Sequence, residues 1–267
     1  MPTSPSPAAP RRVVLVTGAA RRLGRTIALE LAQHGSDVAV HYRGSEADAH
    51  DTVEALRATG ATAYAFQADL ADEAACKALV PAVVAHFGQL DAVVNNASTF
   101  EYDDAASFSH AAMDKHWRAN TAPAVLLAQA LHVHASERKA AGCVVNIIDQ
   151  KLWNPNPDYF SYTLSKAALQ AATVMLAQAL APVLRVCGVA PGVTLASGPM
   201  SEAEFDAAHR MTPLERSSTP QDIARAVRFL IDSPAITGTT LLVDGGQHLT
   251  AQSRDVLYLA KTPPKAT

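Results

Sequence analysis

Only three cysteines occur in this 267-residue sequence, Cys76, Cys143 and Cys187, and they stand far apart. That spacing excludes a C-x-x-C metal or redox motif and a disulfide-stapled secreted fold. The odd count, with two of the three in strand-like runs, predicts buried free thiols in a reducing, cytoplasmic compartment. An excess of charge is missing too. With 22 Lys and Arg against 25 Asp and Glu, the formal net charge is -3, which argues against a dedicated nucleic-acid binder. No apolar run is long enough to span a bilayer, so no membrane segment is expected. The ten histidines show no metal-ligand clustering, and no metal is expected. His132 and His134 lie two apart on a helical pattern and cannot share a face. No internal repeat and no linker divides the chain. Met1 to Pro10 is rich in Pro, Ser and Ala and lacks an apolar core, which predicts a flexible tail instead of a signal peptide. Residues 251–267 are expected to be a second tail.

What is present is the composition of a globular α/β protein, 49% hydrophobic and 18% charged, long enough for one large domain over residues 11–250. Short β-branched runs alternate with helical patterns. Strands are expected at Val13–Val16, Val38–Tyr42, Ala63–Ala68, Leu90–Val94, Val144–Ile148, Val186–Ala190 and Thr240–Val243. Helices are expected at Arg25–His34, Ala47–Thr59, Asp72–Phe87, Met113–His134, Tyr162–Leu180 and Gln221–Ile231. The alternation predicts a single doubly wound domain with a mainly parallel seven-stranded sheet. Residues 193–219, rich in Ser, Thr, Pro and Met with a short helical piece, read as a binding loop.

The first strand runs into Thr17-Gly18-Ala19-Ala20-Arg21-Arg22-Leu23-Gly24 and then a helix. A strand, a glycine-bearing turn and a helix put a phosphate against a helix N-terminus. The spacing is not the usual dinucleotide fingerprint, because Arg22 stands where a middle glycine is expected. The second strand ends His41-Tyr42-Arg43-Gly44-Ser45, with no acidic residue to hold ribose hydroxyls. Arg43, with Arg21 or Arg22, suits a 2′-phosphate, and Ser45 suits either that phosphate or a helix cap. A solvated basic loop would read the same. Asn95-Asn96-Ala97-Ser98 after the fourth strand suits either an adenosine or ribose contact or a structural turn. Tyr162 and Lys166 lie one helical turn apart on one face. The ammonium is expected to lower the phenol pKa from about 10 and make it a proton donor or acceptor. An ordinary helix-surface pair fits that spacing equally well. Phe100 suits a place over the cleft or in the core.

In order and together, Thr17-Gly18, Asp69, Asn95-Asn96-Ala97, Asn120, Tyr162/Lys166 and Pro191-Gly192 resemble the short-chain dehydrogenase/reductase family over residues 12–250. Within it the sequence is most similar to the pteridine reductases. Arg22 replaces a glycine, the second strand ends His41-Tyr42-Arg43, and Ser98 replaces another glycine. Asp149 stands thirteen residues before Tyr162, where most relatives carry serine. The resemblance implies a Rossmann-type fold, a homotetramer, and hydride transfer from NADPH to a pterin or dihydropterin. It implies cofactor contacts from Gly18, Arg21, Arg22, Leu23, His41, Tyr42, Arg43, Ser45, Asp69, Leu70, Asn96, Ala97, Ser98, Tyr162, Lys166, Pro191 and Gly192. Arg22, Ser98, Phe100, Asp149 and Tyr162 would line the pterin site. Tyr162 would give the proton, Lys166 would tune it, Asn120 would position Lys166 through water, and Asp149 would help protonate the ring nitrogen. A ketone or 3-oxoacyl reductase, in which Asp149 only orients Tyr162, is the alternative, and a non-catalytic NADP sensor a further one. Residues 150–158, including Trp153, and the 193–219 loop do not follow those reductases and leave the substrate's side chain open.

Overall fold

Val13 and Leu15 face one side of the first strand and Val14 and Val16 the other, and all four are buried. A strand apolar on both faces belongs in the middle of a sheet covered by helices on each side. The computed structural model, which describes residues 11–196 and 200–260, places it there. β1 (Arg12–Val16) pairs in parallel with β2 (Ser36–Tyr42) on one side and β4 (Ala92–Asn95) on the other. With β3 (Ala63–Gln67), β5 (Gly142–Ile147), β6 (Leu184–Pro191) and β7 (Thr240–Val243), the order is β3-β2-β1-β4-β5-β6-β7. Every pairing is parallel, so the sheet is wholly rather than mainly parallel. The chain winds outward from β1 to β3 and then returns to lay β4 beside β1. That reversal opens a crevice at the carboxyl ends of β1 and β4, where ligands bind in such sheets.

The helices cover the sheet as their patterns dictate. α1 (Arg22–Gln33) buries Gly24, Ile27, Ala28, Leu31 and Ala32, one stripe at helical spacing. Its stripe meets that of α8 (Pro220–Asp232), where Ile223, Val227 and Leu230 are fully buried. Each such side chain contributes about 1.5–3 kcal/mol of burial. On the other face α3 (Glu73–Phe87), α5 (Ala122–Arg138) and α6 (Phe160–Ala179) pack Leu79, Val83, Leu127, Leu131 and Ala177 against Val13 and Leu15. α3 is capped by the Asp72 side chain and stopped by Gly88 at φ 77°. α2 (Glu46–Arg57) lies beside β2 and β3.

Strand and helix boundaries fall within a few residues of expectation, but two segments differ. The single helix expected over Met113–His134 is broken into α4 (His110–His116), a π turn (Trp117–Thr121) and α5. Pro123 at the start of α5 cannot donate to the preceding turn, and the π turn carries the buried Asn120. Residues 251–260, expected as a tail, instead fold back, with α9 (Val256–Leu259) burying Val256 and Leu257. α7 (Glu202–Arg210) is the short helix of the 193–219 loop, closed by a Ser201/Glu204 capping box. The expected N-terminal tail, Met1–Pro10, lies outside the described residues, as do Ser197–Pro199 and residues 261–267. No described helix is long and apolar enough to cross a membrane.

Candidate active site

Two cavities share the crevice. The glycine-loop cavity, about 470 Å³, is lined by Gly18, Arg21, Arg22, Leu23, His41, Tyr42, Arg43, Ser45, Asp69, Leu70, Asn96, Ala97 and Ser98. These are all the positions at which the resemblance implied cofactor contacts, apart from the four nearer the tyrosine. Gly18 takes φ 63°, and a Cβ on Gly24 would sit 2.2 Å from the Gly18 carbonyl oxygen, so the turn requires both glycines. Arg22 holds φ 53° at the position expected for a glycine, a left-handed conformation that costs a non-glycine residue about 1–2 kcal/mol. It reaches across the crevice, Nη2 donating to the Ala196 carbonyl at 2.8 Å.

The expected polar contacts divide into rim and brace. Arg21, Arg22 and Arg43 are exposed on the cavity wall and bring positive charge to it. Ser45 precedes α2 without capping it, which leaves its hydroxyl to the cavity. His41, in contrast, is spent on the loop. Its Nδ1 accepts from the Gly18 amide at 3.0 Å and its Nε2 donates to the Ala68 carbonyl at 3.1 Å. Burial lowers its pKa to about 4, so it stays neutral. Asn96 braces the same loop, its amide donating to the carbonyls of Thr17 and Gly18. Asn95 is buried and donates to Asn146 at 2.8 Å.

The tyrosine cavity, about 300 Å³, shares Arg22, Leu23, Asn96 and Ser98 with the first and adds Phe100, Asp149, Tyr162, Lys166, Pro191 and Gly192. β5 ends two residues before Asp149, and the first two turns of α6 carry Tyr162 and Lys166 beside it. The Tyr162 hydroxyl donates to Asp149 Oδ2 at 2.8 Å, while Asp149 Oδ1 accepts from the Lys151 amide at 2.8 Å. Lys166 donates to the Ile147 carbonyl at 2.8 Å, with its ammonium 5.7 Å from the Tyr162 ring centre. The sequence expectation that Lys166 lowers the phenol pKa is overturned. Burial and then the adjacent Asp149 push Tyr162 well above its ordinary value. Burial also raises Asp149 and lowers Lys166 to about 8. Tyr162 therefore holds its proton at neutral pH, next to a carboxyl that accepts one more readily than a free aspartate.

Nearly the whole chain finds counterparts among known proteins. A family model described as enoyl-(acyl carrier protein) reductase matches residues 18–248. Pteridine reductase 1 of Leishmania tarentolae is 34% identical over 286 residues, covering 92% of this chain and 98% of that one. The 3-oxoacyl-[acyl-carrier-protein] reductase FabG of Staphylococcus aureus is 34% identical over 253 residues, covering 88% and 97%. The chain belongs to the short-chain dehydrogenase/reductase family. Among solved structures, FolM alternative dihydrofolate reductase 1 of Brucella canis, complexed with NADP, superimposes with a TM-score of 0.87. It is 39% identical over 92% of this chain and 97% of that one.

In this family member Asn120 does not touch Lys166. Its Nδ2 donates to Ser165 Oγ at 3.0 Å and to the Thr99 carbonyl at 3.0 Å. Its Oδ1 accepts from the Thr99 amide at 2.7 Å and the Ser98 hydroxyl at 3.1 Å. It thus ties the Ser98–Phe100 wall to the helix that carries the tyrosine. Phe100 is 41% exposed, not core. It stacks on Tyr159 at 4.0 Å and meets Tyr162 edge-on at 4.7 Å. Trp153 is exposed and lines neither cavity.

Sequence reasoning missed Gln150, Lys151 and Asp255–Leu257, which all line the tyrosine cavity. For Gln150 and Lys151 the signal was the departure of residues 150–158 from the family. For Asp255–Leu257 there was none, since a four-residue helix has no periodicity to read.

Proposed function

We propose that this protein is an NADPH-dependent reductase that adds a hydride and a proton across a conjugated C=N bond of a dihydropterin. The observation that carries the reading is the Tyr162–Asp149 hydrogen bond of 2.8 Å on the wall of the tyrosine cavity. A serine at position 149 could only hydrogen-bond a carbonyl. A part-buried carboxyl with a raised pKa, joined to a protonated phenol, can hand a proton to a ring nitrogen. Phe100 on the same wall suits a planar ring.

The glycine-loop cavity fits the cofactor. Its turn has no room for a Cβ at Gly24, and three arginines and Ser45 line it without an acidic residue at the end of β2. Gly18 and Leu23 would carry the pyrophosphate, and Arg21, Arg22, Arg43 and Ser45 the 2′-phosphate. Asp69, Leu70, Asn96 and Ala97 would border the adenosine and ribose. Lys166, Pro191 and Gly192 would hold the nicotinamide end. When bound, NADPH supplies the hydride. Tyr162 supplies the proton, Asp149 restores or shares it, and Lys166 holds positive charge beside the pair. The Brucella relative's NADP complex supports the cofactor, and the Leishmania pteridine reductase supports the substrate class.

The 193–219 segment is the substrate loop in this reading, since Thr194, Leu195 and Met200 line the tyrosine cavity. The protein acts as a homotetramer in a reducing cytoplasm. A stripe of exposed uncharged residues on α6 suits pairing of copies, and three buried free thiols suit that compartment.

A 3-oxoacyl reductase is the second reading, favoured by the Staphylococcus relative. NADPH oxidation with dihydrobiopterin, dihydrofolate and a 3-oxoacyl thioester separates the two. Turnover of the dihydropterins is the expected result; turnover of the thioester alone would replace this proposal with the second reading.

A further inference from the structure

Phe100 stands on a segment that burial does not hold. Ser98, Phe100, Glu101 and Tyr102 are exposed, and Thr99 is half-buried. A segment that encloses so little apolar surface is not fixed by packing, so its backbone must be held by hydrogen bonds. Side chains of two buried residues hold it on either side of Phe100. Before it, Asn120 takes both backbone groups of Thr99. After it, His116 Nε2 accepts from the Glu101 amide at 3.3 Å. His116 ends α4 and Asn120 lies in the π turn that follows, four residues on and so within about one turn.

The chemistry of His116 is settled by its two partners. Its Nδ1 donates to the Ala112 carbonyl at 2.9 Å, one turn back in α4. The ring proton therefore sits on Nδ1, and Nε2 keeps the lone pair that the Glu101 amide needs. An imidazolium would point a second N–H at that amide instead. The ring is 1% exposed and meets the Tyr162 ring edge-on at 6.4 Å. Glu101 has a second hold, its side chain pairing with Lys115 at 2.6 Å. Both of those side chains are more than half exposed, and water screens such a pair, which leaves the His116 bond as the firmer one. His116 itself lines neither cavity.

We infer that His116 is a positioning residue for the substrate. By holding the Glu101 amide it fixes how the Phe100 ring faces the tyrosine cavity, and it acts through Phe100 instead of on the reacting atoms. The inference rests on the reading of Phe100 as a wall for a planar ring. It adds a residue to which neither the spacing of the sequence nor the lining of the cavity points.

The test begins with dihydrobiopterin turnover by the wild-type enzyme and then compares variants. His116→Phe keeps an aromatic ring beside Tyr162 and removes the acceptor. His116→Gln places an amide oxygen near the position of Nε2 and keeps it. His116→Phe should raise the KM for dihydrobiopterin by about three- to tenfold, the worth of one hydrogen bond. Its kcat and its NADPH affinity should stay within about twofold of the wild type. His116→Gln should restore most of the lost KM. In a Phe100→Ala background His116→Phe should raise KM no further, because the residue it acts through is gone. Thermal melts show that each protein is folded, and His116→Leu, which also lacks the acceptor, replaces His116→Phe if the larger ring unfolds the chain. An unchanged KM would overturn the inference and leave the dihydropterin reading standing. So would a KM increase of the same size with and without Phe100, or a loss that His116→Gln does not restore. Absence of dihydrobiopterin turnover by the wild type would remove the dihydropterin reading and the inference with it, before any variant is made.

Discussion

Asp149 and Tyr162 form an acid pair because burial acts on them in the same direction. Tyr162 is buried and Asp149 part-buried, and each is pushed toward its protonated form. Lys166 moves the other way, down to about 8, chiefly by burial and partly restored by Asp149. It is charged below that pH and neutral above it. If its charge supports proton donation, kcat/KM for reduction falls as pH rises through about 8. Lys166→Arg, which stays charged, should shift that limb upward. A pH profile of the two proteins checks this, and an unmoved limb would assign the titration elsewhere. On the cofactor side, Arg43 is exposed, so its phosphate contact is partly screened. Arg43→Ala should weaken NADPH binding by about tenfold and leave NADH nearly untouched, as read by direct titration. Equal loss of both would assign Arg43 to the loop rather than to the phosphate.

At the scale of elements, the site depends on how α6 is started. Tyr159, just before the helix, sits at φ 54° and does not cap it. The cap comes instead from Asp103 on the distant loop that also carries Phe100. Its carboxylate accepts from the Ser161 amide at 2.9 Å and from the Ser161 hydroxyl, and both residues are buried. One aspartate thus fixes the aromatic wall relative to the tyrosine. Asp103→Ala orphans the amide and should cost about 1–3 kcal/mol, a melting drop of about 2–10 °C. The kcat should fall with it while NADPH affinity holds. A thermal melt and steady-state kinetics measure both, and an unchanged melting temperature would contradict the capping role. Asp103 also marks where sequence reading stops. The strands were legible because Val13–Val16 and Val144–Ile148 are apolar on both faces. The glycine turn, Arg22 and Tyr162 were legible because turn chemistry and helical spacing are local, and Asp149 through the family resemblance. Asp103 capping Ser161 and Asp255 pairing with Lys151 join residues 58 and 104 positions apart, and no local pattern encodes such contacts. The phenol pKa misled for a related reason: spacing shows that Lys166 is near, but not that burial outweighs it.

For the whole molecule, α6 presents Leu164, Ala167, Ala171, Val174 and Met175 to solvent, with Met175 67% exposed. Small and apolar residues at helical spacing suit close packing against a second copy. Light scattering after size exclusion should give four chains, and Met175→Glu with Leu164→Glu should give smaller species. A wild-type monomer at every concentration would contradict the assembly. The assembly would hold the cleft, while the proposed chemistry turns on the carboxyl of Asp149.

The most direct measurement is the ratio of kcat/KM for a dihydropterin to kcat/KM for a reducible ketone, before and after Asp149→Ser. The account predicts that the ratio falls by about tenfold or more, because the serine keeps a hydrogen-bond partner for Tyr162 and removes the acid. NADPH binding should stay close to that of the wild type. A ratio that stays constant while both activities fall together would show that Asp149 only supports the tyrosine, and would contradict the dihydropterin assignment.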